Sequence, residues 1–247
     1  MNKKFWTEGV GSFLLAIGVA LTVRWAFVEA YVIPSGSMLP TLLINDHIFV
    51  NKFVYGLRLP FTEKWLFSLG HPKKGDVVVF KYPENKSQFY IKRVVGTPGD
   101  RVYYENGNLY INDELVEKYP PIEKKSEFKW LTDEDFKGEG EEALANYSHW
   151  EERLGGKSYS TLQRKGKSSF SFGPYQVPEG HFFVMGDNRD NSQDSRLWSE
   201  DKRFVPYSYL VGRAMFVWLS CTHTMPVVSF LCDPREIRAD RFFKGIE

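Results

Sequence analysis

From Gly9 to Val23 the chain runs for fifteen residues without a charge, and Phe13, Leu14, Leu15, Ile17, Val19 and Leu21 make the run strongly apolar. Arg24 interrupts it, and Trp25-Ala26-Phe27-Val28 resumes it. About twenty residues rising ~1.5 Å each would cross a hydrocarbon core of about 30 Å, so residues 8–28 are predicted to form one transmembrane helix. Arg24 can snorkel towards the headgroups, with Trp25 as an interfacial anchor. A cleavable signal peptide would need an A-x-A-like site after a short apolar stretch, and none follows. A buried soluble helix would carry a polar stripe, which this segment lacks. Lys3 and Lys4 precede the run, so the positive-inside rule puts residues 1–7 in the cytoplasm and residues 29–247 outside, although Arg24 offsets part of that bias.

The rest of the 247 residues can bury a sizeable core. A net charge of +1 gives no electrostatic case for nucleic acid. Aromatics at 16% lean towards strands. Asp76–Phe80, Phe89–Val95, His181–Met185 and Ala214–Leu219 read as strands bounded by turn residues. Val102–Tyr104 and Leu109–Ile111 flank Asn106-Gly107, a hairpin turn suited to positive φ. From about Asp113 to Pro178, Lys, Glu, Gly and Ser dominate, which predicts an inserted, more exposed subdomain. The expectation is a mostly β protein behind one membrane anchor.

Cys221 and Cys232 stand eleven positions apart without a CxxC or Cys/His cluster, so no zinc site is expected. In an oxidising compartment they could close a loop, and in a reducing one they would remain thiols.

Three short segments carry chemistry. In Ile33-Pro34-Ser35-Gly36-Ser37-Met38-Leu39-Pro40-Thr41, prolines and a glycine force a rigid irregular backbone that can present a hydroxyl and an amide in fixed directions. In Tyr90-Ile91-Lys92-Arg93-Val94-Val95-Gly96, alternation puts Lys92 on the same face as Tyr90 and Val94. If that face is solvated, Lys92 is an ordinary surface lysine. If it is buried, desolvation lowers its pKa and the amine can accept a proton from a serine. Gly186 to Arg196 is a dense polar cluster. Counted from Asp190 it offers acidic or hydroxyl side chains at several calcium-loop positions, but Ser195 stands where that loop needs glycine. A hydrogen-bonded turn supplying orienting groups fits better, and no metal or cofactor is expected.

In this order behind an apolar segment, the three motifs resemble the type I signal peptidases, the bacterial leader peptidases. The resemblance rests on Pro34-Ser35-Gly36-Ser37-Met38 with Pro40-Thr41, and on Asp46-His47-Ile48-Phe49-Val50-Asn51-Lys52. It continues in Lys92-Arg93-Val94-Val95-Gly96 with Pro98-Gly99-Asp100, and in Gly186 to Arg196. It implies a β-rich catalytic core with a variable insertion, and a membrane-bound serine endopeptidase that removes signal peptides from exported preproteins through an acyl-enzyme. By the same resemblance Ser37 is the nucleophile and Lys92 the general base, in a serine–lysine version of triad logic. Ser35 joins the Ser37 amide in the oxyanion hole, Ser192 orients the lysine amine, and Asp194 and Arg196 form a supporting ion pair. Tyr31, Ile33, Pro34, Met38, Leu42, Tyr90 and Ile91 align with the walls of pockets that accept alanine-like residues at the first and third positions before the cut.

The implied setting is the bacterial inner membrane, crossed once, with the catalytic domain outside and the protein working as a monomer on signal peptides. Phe53–Phe61 and Trp65–Phe67 could dip into the bilayer surface or belong to the core. The sequence departs from the family pattern after Trp198, where Ser199–Phe204 lengthen the step to Val205-Pro206 and leave the packing behind the site open. The self-cleaving repressors share Ser-Lys chemistry but bring a DNA-binding domain and no membrane span. Of the five histidines only His47 lies near a matched motif, which disfavours a histidine base. An inactive scaffold is disfavoured by the intact Ser37 and Lys92.

Overall fold

The apolar run divides between two elements in the computed structural model, which describes residues 9–59, 62–121, 127–136, 140, 142–166, 171–225, 228 and 230–246. Helix α1 (Val10–Ala26) holds 17 residues, about 26 Å at ~1.5 Å per residue. Phe27 ends it, and Val28 already pairs with Asn51 as the start of a strand. The β-branched and aromatic side chains of Val28, Tyr31 and Val32 suit a pleated ladder better than another helical turn. Among the described residues no helix is long and apolar enough to cross a membrane. The predicted cytoplasmic residues 1–7, with Lys3 and Lys4, lie outside the described residues, as do Pro60 and Phe61 of the apolar stretch.

In chain order the strands are β1 (Val28–Val32), β2 (Asp46–Asn51), β3 (Gly56–Arg58), β4 (Trp65–Ser68), β5 (Val77–Tyr82) and β6 (Asn85–Gly96). Next come β7 (Arg101–Glu105), β8 (Asn108–Ile111), β9 (Glu114–Leu115), β10 (Glu117–Tyr119), β11 (Tyr147–Leu154), β12 (Lys157–Arg164) and β13 (Phe172–Gln176). The last four are β14 (His181–Met185), β15 (Val205–Pro206), β16 (Leu210–Ser220) and β17 (Lys244–Gly245). The fold is mostly β. The main sheet runs β1-β2-β16-β5-β6-β14-β15, with β17 also on β16. Strands β6 and β14 are neighbours in it, yet everything from β7 to β13 lies between them in sequence and builds two smaller sheets, β13-β7-β8-β9 and β10-β11-β12.

Both faces of the main sheet are covered. Val77 and Val79 pack with Met38, Leu42, Ile48 and Val217, while Val78 and Phe80 pack with Val94, Phe182, Val184 and Trp198. A strand buried on both faces reads as an unbroken apolar run, which is why β5 is Val-Val-Val-Phe. The hairpin expected at Asn106-Gly107 forms, with φ of 49° and 79° at the two turn residues. The longer step after Trp198 is absorbed by a short helical turn at Glu200–Lys202, and Trp198 stays in the core against Phe80, Tyr82 and Tyr90.

The stretch read as exposed from its Lys, Glu, Gly and Ser content holds a buried strand. In β12 the residues from Tyr159 to Gln163 are all buried. Their neighbours are hydrogen-bonding groups as well as apolar ones, so composition alone hides them. Cys221 and Cys232, left open by the sequence, are joined in a disulfide with Cα atoms 5.6 Å apart.

Candidate active site

Ser37 sits in a single tight turn, Gly36–Met38, between β1 and β2. Met38, Leu39, Leu42 and Leu43 are fully buried and pin the turn from below, leaving the serine side at the surface of a cleft. Ser35 precedes the turn in extended conformation and makes no side-chain cap. Its Oγ lies 3.5 Å from Oγ of Ser37.

Lys92 reaches the same point from the middle of β6. It is only 4% exposed, and its Nζ lies 2.5 Å from Oγ of Ser37. The neighbouring strand places Val78 opposite it, so the lysine stem is packed on apolar surface, and among the described residues Nζ has no carboxylate partner. Burial lowers its pKa from 10.5 to about 8, against the opposing pull of the Asp194 and Asp187 carboxylates. The surface-lysine alternative is therefore not what the fold presents. A cation so placed bears the desolvation of its charge without an ion pair, which favours the neutral amine.

The next residue points to the opposite face and is handled differently. Arg93 is fully buried and grips Asp187 through two bonds, Nε to Oδ1 at 2.8 Å and Nη2 to Oδ2 at 2.7 Å. Thr41 donates its hydroxyl to the same Asp187 at 2.6 Å. The segment after β14 is thus tied to both the serine-bearing loop and the lysine-bearing strand. Asn188 adds two more ties, its backbone N–H to the Ser37 carbonyl at 3.2 Å and its side-chain amide to the Gly36 carbonyl at 3.1 Å.

Ser192 is buried, and its hydroxyl lies near enough to the Asp194 carboxylate to help hold that group charged. Gly186 explains how it comes so near the nucleophile. A Cβ at Gly186 would stand 2.2 Å from Ser192 Oγ and 2.4 Å from the Ser37 carbonyl oxygen, so any side chain would force the loop and the serine turn apart. Asp194 accepts from Arg196 Nε at 2.9 Å and Nη2 at 2.8 Å, and from the Gly186 amide at 2.9 Å. Burial, the largest single influence, would raise the Asp194 pKa, but the Arg196 charge and the hydrogen bonds from Arg196 and the Gly186 amide together hold the carboxyl below its ordinary value.

The cleft has a volume of about 500 Å³, and Pro34, Ser35, Ser37, Tyr90, Ile91, Lys92 and Ser192 are among its walls. Of the other residues aligned with pocket positions, Ile33, Met38 and Leu42 are buried in the core beneath it. Tyr31 stands beside Phe89, with ring centroids 5.9 Å apart, and faces a second cavity of about 180 Å³. Phe89 and Leu197, half exposed, also line the main cleft.

His47 turns away from this site. It packs edge-on against Trp218, and its Nε2 lies 3.6 Å from the Cys232 sulfur. His47, Cys221 and Cys232 are close enough to suggest a metal centre, but sulfurs bonded to each other offer no thiolate to an ion. Asp190 accepts the Arg164 amide at 2.8 Å, so it and Asp194 both spend their oxygens on the protein. The sequence reading passed over the grips of Arg93 on Asp187 and of Thr41 on Asp187. The available signal was alternation: with Lys92 and Arg93 adjacent in an apolar strand buried on both faces, one cation on each side needs an answer.

A profile of the family described as signal peptidase, peptidase S26, matches residues 6–219. Signal peptidase I of Pseudomonas aeruginosa is 41% identical over 219 residues, covering 85% of this chain and 71% of the relative. Signal peptidase I of Pseudomonas fluorescens is 39% identical over 217 residues, with coverage of 85% and 71%. A crystal structure of a signal peptidase I from Enterococcus faecalis aligns with 59% of this chain and 98% of its own at 27% identity, but its TM-score of 0.34 carries no argument.

Proposed function

The chain belongs to the signal peptidase family, peptidase S26, and is a serine endopeptidase; from that premise we propose that it removes N-terminal signal peptides from exported preproteins with Ser37 as nucleophile and Lys92 as general base. The observation that carries this reading is the 2.5 Å approach of a buried, unpaired lysine amine to the Ser37 hydroxyl. Neutral Lys92 Nζ takes the Ser37 proton as Oγ attacks the scissile carbonyl. The Ser37 N–H and the Ser35 hydroxyl donate to the developing oxyanion, a type of contact worth roughly 3–4 kcal/mol of barrier. The Lys92 ammonium then protonates the leaving amine, which is the new N-terminus of the mature protein. The signal peptide remains as an ester on Ser37. Lys92, neutral again, takes a proton from water as its oxygen attacks the ester, then returns that proton to the leaving Ser37 Oγ, which releases the peptide as a carboxylic acid and restores both Ser37 and neutral Lys92. Ser192 orients the amine, and Asp194 with Arg196 fixes the loop that carries Ser192. No step calls on a metal or cofactor.

The cleft walls favour small side chains at the first and third positions before the cut. Pro34, Tyr90 and Ile91 line it, with Tyr31, Ile33, Met38 and Leu42 behind or beside them.

In this account α1, within residues 8–28, is the anchor, and the chain from β1 onward is the extracytoplasmic catalytic domain, with an inserted subdomain at about 113–178. Support comes from α1, whose Val10, Phe13, Leu14, Leu15, Val19 and Leu21 are each at least 53% exposed. So much apolar surface on every side of a helix belongs in lipid rather than water. The disulfide gives independent support, because such bonds persist in oxidising compartments. The protein then sits once through the bacterial inner membrane and acts as a monomer.

The test is cleavage, by full-length protein in detergent, of a preprotein carrying Ala-x-Ala before its mature N-terminus, followed by N-terminal sequencing of the product. Wild type should produce the mature N-terminus and folded Ser37→Ala should not. Undiminished cutting at that bond by Ser37→Ala would remove the serine from the mechanism.

A further inference from the structure

The three-stranded sheet inserted between β6 and β14 is built into the active site. Its strand β12 lies at one edge of β10-β11-β12, with a free row of backbone groups, and the segment after β14 takes up that edge. Leu162 and Asn188 form a parallel bridge. The Leu162 amide donates to the Asp187 carbonyl at 2.9 Å, and the Arg189 amide donates to the Leu162 carbonyl at 3.0 Å. The other side of the same segment faces the nucleophile, through the Asn188 bonds to the Ser37 and Gly36 carbonyls. Residues 187–190 are therefore held between the insertion and the serine turn.

The strongest link in this contact is charged. Glu152 on β11 and Arg189 are both buried and meet in a fork, Nη1 to Oε1 at 2.7 Å and Nη2 to Oε2 at 2.7 Å. Tyr159 donates a further bond to Glu152 at 3.1 Å. Beyond Arg189 the chain of contacts continues to the catalytic loop, since the Arg189 carbonyl accepts from Arg196 Nη2 at 2.7 Å, and Arg196 in turn grips Asp194. A planar two-bond fork fixes direction as well as distance, and an isolated cation in its place would leave a buried charge uncompensated.

We infer that Glu152 is a positioning residue for the peptidase reaction, holding through Arg189 the segment that sets Ser37 and Ser192 relative to Lys92. The inference rests on the proposed serine–lysine mechanism and gives the insertion a role within it. Glu152 touches neither substrate nor reacting atoms. Its effect lies on the alignment of groups whose misplacement by about 1 Å costs roughly 100-fold in rate.

The experiment compares wild type, Glu152→Gln, Glu152→Asp and Leu154→Ala as full-length proteins, with kcat and KM on one preprotein and a thermal melt for each. Leu154 is buried on the same strand, and its truncation weakens the insertion without touching the fork. Glu152→Gln should lower kcat by roughly 10- to 100-fold with KM within about twofold, because the cleft walls that bind peptide are not part of the fork. Glu152→Asp, which keeps the charge on a shorter arm, should recover part of that loss. Leu154→Ala, assayed well below its melting point, should keep kcat within about twofold. If Glu152→Gln does not fold, Glu152→Asp decides by the same split between kcat and KM. Wild-type kcat in the glutamine variant, or in the aspartate variant where only that one folds, would overturn the inference. So would an equal kcat loss in Leu154→Ala. Failure of wild type to cut the preprotein at all would instead overturn the proposed function, so the two failures are distinct.

Discussion

Lys92→Met separates what this lysine does for chemistry from what it does to stability. The structure buries the amine on apolar surface, with the Ser37 hydroxyl at 2.5 Å and the Tyr90 ring centroid 5.4 Å from Nζ. A pKa moved from 10.5 down to about 8 corresponds to about 3 kcal/mol of folding free energy at ~1.36 kcal/mol per unit. The sign follows from proton counts. Below pH 8 the folded and unfolded chains both carry the ammonium, and folding bears the full desolvation cost. Between pH 8 and 10.5 the unfolded chain binds more protons, so wild-type stability rises with pH. Above 10.5 both forms are neutral and the cost is gone. Methionine has similar length, an apolar end and enough flexibility to fill the channel. Against its gain stands the lost contact with Ser37, about 1 kcal/mol. Net, Lys92→Met should be more stable than wild type by about 2 kcal/mol at pH 6 to 7, and the advantage should vanish as pH approaches 10.5. Urea unfolding of both full-length proteins in one detergent, followed by tryptophan fluorescence at several pH values, measures this difference. A methionine variant less stable than wild type at pH 6, or a difference flat with pH, would refute the buried unpaired amine.

Two further outcomes follow from the same geometry. The rate of cleavage should climb about tenfold per pH unit up to a shoulder near 8, where half of Lys92 is neutral, and replacing all five histidines in a protein that still folds should leave that limb in place. A limb near 6.5 that disappears with the histidines would assign the base to one of them. Gly186→Ala should reduce kcat by roughly 100-fold or more, since its Cβ would meet Ser192 Oγ at 2.2 Å and the Ser37 carbonyl at 2.4 Å; near wild-type kcat would show that the two loops tolerate separation.

The elements that carry the site were legible because each has a local signature. The continuous apolar run Val77–Phe80 marks a strand, Asn106-Gly107 marks the separate hairpin of β7 and β8, and Pro34 with Gly36 and Pro40 marks a rigid turn around Ser37. The approach of Ser37 to Lys92, fifty-five positions apart, has no local signature, and came only through resemblance of motifs in order. Burial of Lys92 was likewise undecided, because alternation gives the face of a strand but not what covers it. The insertion was the least legible part. Glu152, Tyr159, Thr161 and Gln163 are polar enough to read as surface, yet they are buried because Tyr159, Thr161 and Arg189 donate to Glu152 and Gln163 donates to the Tyr104 hydroxyl. The apolar N-terminal run was clear as a run, but its end was misplaced: the ladder from Val28 to Asn51 takes over from the helix at a residue whose hydropathy suits either.

The central claim is that Lys92 takes the proton from Ser37, and the most direct measurement is single-turnover cleavage of one preprotein by wild type and Lys92→Ala side by side, each shown to be folded by its melt. Loss of a general base and its contact predicts a rate at least about 1,000-fold lower for the variant at every pH. A folded Lys92→Ala that cuts within about tenfold of wild type would contradict the account.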